Sequence, residues 1–147
     1  MSAFLDLRNA VVNLLTAGSP LAGGFVTSGR AFPLPTEQDQ GIFVRLARGQ
    51  GQANFAGSSM VDWGTDIVVS MAARATAGQD AETAVDALLD AVYARLAAAS
   101  PPVSADGWTL APAVTFDVDE ADQSVGSAEL RLRIQHRTAS GDLSAAT

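Results

Sequence analysis

The residues able to do chemistry are few: one His, sixteen Asp and Glu, nine Arg, no Lys and no Cys in 147 residues. A Ser-His-Asp arrangement would have to use His136, which sits at an inward-alternating position of a strand pattern, Leu130 to Arg137. No G-x-S-x-G elbow accompanies it, so this lone His reads as a core or rim residue. The run Asp117-Val-Asp119-Glu120-Ala-Asp122 has the carboxylate density that hard cations take, but it fails as a calcium loop. Ala121 stands at the fifth position, Asp122 replaces the Gly of the sharp turn at the sixth, and Ala128 replaces the bidentate Glu at the twelfth. It reads as a solvated acidic link. Without Cys or Lys, thiol nucleophiles, zinc ribbons, disulfide frameworks, P-loops and Schiff-base chemistry are excluded. The expectation is no catalytic residue, no metal site and no cofactor.

Charge spacing is more informative than charge identity. Arg131, Arg133 and Arg137 share one face of the last strand pattern, while Glu82, Asp86 and Asp90 fall at i, i+4 and i+8 of a helical pattern. Like charges at that spacing cost a few tenths of a kcal/mol, about 0.2–0.5 per pair, so the ridge is better tolerated when something basic meets it. The chain as a whole is acidic, with a formal charge of −7, which disfavours direct binding to phosphate backbones. A solvated face is the plain reading of both stripes, and a protein–protein contact is the sharper one.

These stripes need elements to carry them. A helix is expected from about Ser2 to Ala17, with Ser2 at the N-cap and Phe4, Leu7, Val11, Leu14 and Leu15 on one face. A short strand follows near residues 25–30, and a half-buried strand over 42–48 alternates Ile42, Val44 and Leu46 with Phe43, Arg45 and Ala47. Residues 49–64, rich in Gly, Ser and Gln, read as a long hairpin tip or a loop, and the next strand spans 65–74. The second helix, about Asp80 to Ala99, has Asp80 as cap, Glu82 in its first turn and Val85, Leu88, Leu89, Val92 and Leu96 as core stripe. Two strands around 114–118 and 130–137 close the pattern, and residues 139–147 read as a disordered tail. The fold expected is α+β: a single domain over residues 1–138, with two helices packed on one face of a mixed or antiparallel sheet.

At 147 residues one ordinary apolar core is available. Of the apolar 48%, 28 residues are Ala, and no run approaches the roughly 20 apolar residues of a membrane span, so no membrane association is expected. Asp6 and Arg8 lie where a signal peptide would be apolar, which argues against one.

Three passages carry a family likeness: residues 63–74 (WGTDIVVSMAAR), 78–96 (GQDAETAVDALLDAVYARL) and 128–137 (AELRLRIQHR). With the preceding helix, the Gly29-Arg-Ala-Phe-Pro-Leu-Pro35 stretch and Gly41-Ile-Phe-Val-Arg-Leu46, the order and length of segments over most of residues 1–138 resemble the tail terminator (tail completion) proteins of long-tailed bacteriophages. The resemblance implies a non-enzymatic structural protein, made in the host cytoplasm and located in the virion. It would form a hexameric ring on the head-proximal end of the tail tube, stop tube polymerisation and present a surface to head completion or neck proteins. The Ala-rich, Lys-free composition would suit a high-GC host and a phage-derived gene transfer agent.

On that reading Arg131, Arg133 and Arg74 are expected to meet Asp86 and Asp90 of a neighbouring subunit. The 49–62 loop, with Phe55, Met60 and Asp62, and the acidic link at 119–125 are expected to contact the tube. Six copies at −7 would carry about −42, so DNA would pass through the lumen without specific binding. Two alternatives stand beside this: a head–tail connector of the same particle, and an acidic small-molecule-binding or hydrolytic domain, which would show a deep pocket with converging polar groups.

Overall fold

A computed structural model describes residues 1–29, 34–53, 57, 59–102, 105–119 and 124–144, apart from the side chains of Pro112 and Asp119. The elements are α1 (Ala3–Thr16), a short 3-10 turn (Ala22–Gly24), β1 (Val26–Ser28), β2 (Gln40–Ala53), β3 (Met60–Arg74), α2 (Ala81–Ala98), β4 (Ala105–Asp119) and β5 (Val125–Ala139). The strands form one sheet in the order β1-β2-β3-β5-β4, antiparallel throughout except that β1 runs parallel to β2. Both helices pack on one face of this mixed sheet, as the periodicity predicts.

β5 shows why the layer forms. From Gly126 to Thr138 its even-numbered residues are buried and the odd-numbered ones lie at or near the surface, so every second side chain enters the core. Ala128, Leu130, Leu132 and Ile134 meet Ile67, Val69 and Met71 of β3 and Ile42 and Val44 of β2. Leu7, Val11 and Leu15 of α1 and Val85, Leu88, Val92 and Leu96 of α2 close the core from above. Full burial of each such side chain contributes about 1.5–3 kcal/mol, so this stripe-on-sheet contact dominates the stabilising side.

The helix ends are satisfied in different ways. Asp80 Oδ1 accepts the Thr83 N–H at 2.7 Å and caps α2, and that bond holds the Asp80 carboxyl below its usual range. Ser2 occupies the N-cap position of α1 but makes no side-chain capping bond; instead the Leu143 carbonyl accepts the Ala3 N–H at 2.8 Å. Residues 139–144, expected in a disordered tail, are therefore ordered: Ala139 belongs to β5, and the Ser140 N–H donates to the Ser59 carbonyl at 2.7 Å. At the other end of α1 there is no basic residue in the last turn, and Arg95 of α2 supplies one across the layer. Its guanidinium donates to the carbonyls of Leu15, Ala17 and Ser19 at 3.1, 2.8 and 2.6 Å, satisfying C-terminal groups and placing a cation at the negative end of the helix dipole.

Glycines set two close approaches. Gly49 and Gly51 are strand residues of β2: a Cβ there would come within 2.7 Å of the rings of Phe4 and Trp63, respectively. Phe4 then stacks edge-on against Trp63 and His136. Of the two readings of 49–64, a long hairpin tip or a loop, the structure shows the hairpin: β2 runs to Ala53 and β3 starts at Met60, so Met60 and Asp62 are strand residues and not loop ones. The Gly-rich sequence marks the removal of side chains from beneath aromatic rings. Gly126 is the tighter case, since its Cβ would lie 2.5 Å from the Ala81 carbonyl oxygen where α2 begins.

Two stability measurements test this. Gly126→Ala must push the start of α2 off β5 and is expected to destabilise by about 1–3 kcal/mol in denaturant unfolding. Arg95→Ala leaves helix-end carbonyls without their donor and is expected to cost about 1–3 kcal/mol, with Arg95→Lys recovering only part because a single ammonium cannot span the three carbonyls.

Candidate functional site

The register of the sheet decides which charges meet. Asp66 lies opposite Arg133 and Asp62 opposite Arg137 on the face turned away from the helices. Arg133 donates to both Asp66 oxygens, Nε at 2.9 Å and Nη2 at 3.4 Å, and Arg137 Nε donates to Asp62 Oδ1 at 2.6 Å. These bonds raise both guanidinium pKa values and lock the side chains in the plane of the sheet. Arg45 pairs with Glu129 at 3.6 Å, Arg48 Nη2 donates to Gln50 Oε1 at 3.2 Å, and Arg131 has no polar partner among the described residues. Exposed pairs of this kind contribute little stability and mainly fix geometry. On β2, β3 and β5 this face thus carries Arg45, Arg48, Arg131, Arg133 and Arg137 against Asp62, Asp66 and Glu129. Gly64, opposite Gln50 and Gln135, leaves a shallow polar trough of about 440 Å³ among them.

The helix side has the opposite character. Glu82, Asp86 and Asp90 are exposed along α2, and beside them the layer stops short of β4. Phe116 of β4 is 52% exposed and Tyr93 of α2 45%, although the Phe116 position alternates toward the helices, paired with the buried Ala128. Two contiguous depressions follow this overhang. One, of about 490 Å³, is lined by Glu82, Thr83, Asp86 and Phe116, and the other, of about 340 Å³, by residues including Leu89, Asp90, Tyr93 and Val114.

The structure separates the expected contact residues. Asp86 and Asp90 project from the helix layer and Arg131 and Arg133 from the other face of the sheet, so these sets meet only if copies stack face to back. Arg133 already holds Asp66. Arg74 sits at the far end of β3 from Asp62, where its Nη2 donates to the carbonyls of Pro35 and Gln38 at 3.3 and 3.4 Å and ties the 34–38 segment to the sheet. Met60 and Asp62 are strand residues, with Asp62 held by Arg137, and Phe55 lies outside the described residues, as do 120–123 of the acidic link. The residues that sequence reasoning passed over are Arg45 and Arg48 of β2 and Phe116 and Tyr93 beside α2. Only the position of β4 at the sheet edge makes the last two exposed.

His136 is 1% exposed. Its Nε2 and the Thr65 hydroxyl are hydrogen-bonded at 2.7 Å, the donor being set by the ring tautomer, while Nδ1 is buried without a partner. Burial lowers its pKa, against a weaker opposing pull from Asp106. The ring is part of the packing around Phe4 and Trp63, and the Thr65 hydroxyl that it meets is itself fully buried. No group of three or more His, Asp or Glu among the described residues could hold a metal ion, and no described helix is long and apolar enough to cross a membrane. No family model and no curated protein matches the sequence.

Because the folded ring titrates below the unfolded value of about 6.5, the unfolded chain binds the proton first as pH falls. His136 therefore contributes stability that is present above about pH 6.5 and is lost on acidification toward its folded pKa. As the single histidine of the chain, its ring resonances can be followed alone by NMR. They are expected to titrate below those of an unfolded peptide, and His136→Phe is expected to flatten the pH dependence of unfolding between pH 7 and 5.5.

Proposed function

We propose that this protein is a non-enzymatic assembly component of tail-terminator type, which forms a ring, six subunits in the reading the resemblance implies, on the head-proximal end of a phage-like tail tube. The observation that carries the reading is the one-sided layering. Two helices cover one face of the sheet, while the other face is divided between a small apolar cluster of Leu34, Phe43 and Ala72 and a field of paired charges and amides toward the β2-β3 hairpin, and β4 extends beyond the helices with Phe116 uncovered. Register-locked polar faces and bare strand margins suit docking between rigid subunits, and the troughs described above are open to solvent. The expected partners are further copies of this chain, tube protein on one side and a head completion or neck protein on the other, with DNA crossing the lumen unbound.

The in-plane pairing of Arg133 and Arg137 supports that last point if the sheet face lines the lumen. Their charge is met locally by Asp66 and Asp62, which leaves little net attraction for phosphate. If the helix layer lines it instead, Glu82, Asp86 and Asp90 repel phosphate directly. Arg48 and Arg131 still leave the sheet face with more positive than negative charge, so the helix layer is the lining that lets a duplex slide freely.

Electron microscopy of the purified protein, alone and mixed with tail tubes, tests the proposal: six-fold rings capping one tube end are expected, and monomers that never engage tubes overturn it. The double reversal Asp86→Arg with Asp90→Arg, at exposed positions remote from the core, is expected to leave thermal unfolding nearly unchanged and to reduce the capped fraction. Capping that persists undiminished removes the ridge from the contact.

A further inference from the structure

The sheet has two margins with free backbone groups, and their chemistry is opposite. On one side, β4 is an edge strand over its whole length, Ala105–Asp119, and among the described residues no backbone group outside β5 pairs with it beyond the local bond from Ala105 to Pro102. On the other, β1 covers β2 only at Ile42–Val44, and beyond the Val44 carbonyl, which accepts the Gly29 N–H, no described backbone group outside β3 pairs with the remainder of β2. Strand β4 carries Asp106, Asp117 and Asp119 and no base, while β2 carries Arg45 and Arg48 and no acid. Unpaired edges of this length are ordinarily blunted or covered, because they template pairing with another chain.

We infer that the β4 edge of one copy pairs antiparallel with β2 from Leu46 to Ala53, where no described residue outside β3 pairs with it, in the next copy, joining the sheets head to tail. Three independent features select a second copy of this chain as occupant. The first is direction. Along β2-β3-β5-β4 every neighbour is antiparallel, so β4 runs opposite to β2. Rotation of a copy about an axis parallel to the strands preserves direction, and the seam then continues the alternation without a parallel joint. The second is charge: an acidic strand arrives beside a basic one, which orients the encounter and disfavours pairing of like edges. The third is the incomplete helix layer. α2 covers β3 and β5 and α1 covers β1 and β2, so although Trp108, Leu110 and Val114 of β4 pack on the core, Phe116, beside Glu82 and Asp86, lacks a cover that the α1 of the next copy would bring. Glu82, Asp86 and Asp90 flank that overhang.

This seam deepens the ring reading and rests on it for closure, but not for pairing. The chain has no cysteine, so introduced thiols are unique. Thr109 of β4 lies on the same sheet rung as Arg48 of β2 within one copy, through Arg133 and Asp66, and on the same outward face as Gln50 and Gln52. The test mixes the full-length variant Thr109→Cys with Arg48→Cys, Gln50→Cys or Gln52→Cys in turn at high protein concentration under mild oxidation. Disulfides form only where Cα atoms come within about 7 Å. Covalent heterodimers in one or two of these mixtures, and not from Thr109→Cys alone, are expected. Phe116→Lys, exposed and outside the core, is expected to lower the trapped fraction about tenfold when placed in the Thr109→Cys chain. Trapping in none of the mixtures overturns the seam, and so does efficient trapping of Thr109→Cys with itself, which would mean a two-fold contact. Six-fold rings without trapping would sink the seam and keep the ring, whereas trapped open chains that never close would keep the seam and sink the ring.

Discussion

The structure depends on the burial of one face of a five-stranded sheet under only two helices. A one-residue slip would turn a strand's core-facing set away from the helices, and the constraint shows most plainly where the opposite face is open to solvent, since residues 41–44 of β2 and 67–73 of β3 are buried on both faces. β5 obeys this over its full length and anchors the register of β3 and β4 on either side. α2 lies over β3 and β5 and α1 over β1 and β2, so the helix layer falls short of the sheet's width at one margin. In this chain the margin is β4. The exposed aromatic at Phe116, the depressions beside α2 and the acidic ridge above them are consequences of that shortfall in width.

Much of the fold was legible in the sequence, because the signals were periodic. The α2 stripe of Val85, Leu88, Val92 and Leu96 with its Asp80 cap, and the alternation from Leu130 to His136, each reflect one dominant physical requirement. The failures came where two requirements overlapped. Gly49 and Gly51 carry the composition of a loop, yet they are strand positions emptied to admit Phe4 and Trp63, and a distant aromatic leaves no mark on the local pattern. The first half of β4 was missed because Gly107, Pro112 and two register shifts interrupt its alternation. The 139–144 segment is polar and has the composition of a tail, but its order rests on backbone hydrogen bonds to Ala3 and Ser59 that composition does not encode. For the candidate contacts, the sequence showed which charges share a face of one element and not which side of the molecule that face lies on. Placement separated Asp86 and Asp90 from Arg131 and Arg133, and it gave Arg74 a structural task.

Electrostatics in this protein is arranged by register more than by net charge. The formal −7 conceals a sheet face where arginines outnumber acids, and most of those arginines are tied to a neighbouring strand. A charged face held in this way keeps its shape without strong attraction to a mobile polyanion, and it discriminates partners by the position of each pair. Arg131 and the outer reach of Arg48 are the places where that face has charge to spare.

The hydrogen bond from Ala3 to the Leu143 carbonyl has a consequence for handedness along the strand axis. It brings both ends of the described chain to one corner, beside Phe4, Trp63 and the Ser59 to Ser140 bond, while the opposite end of the sheet is closed by Arg74 and the 34–38 segment. Met1 and Ser144 thus both lie on the hairpin side. The molecule is polar in the sense of an arrow, and the two described ends of the chain mark the same end of it.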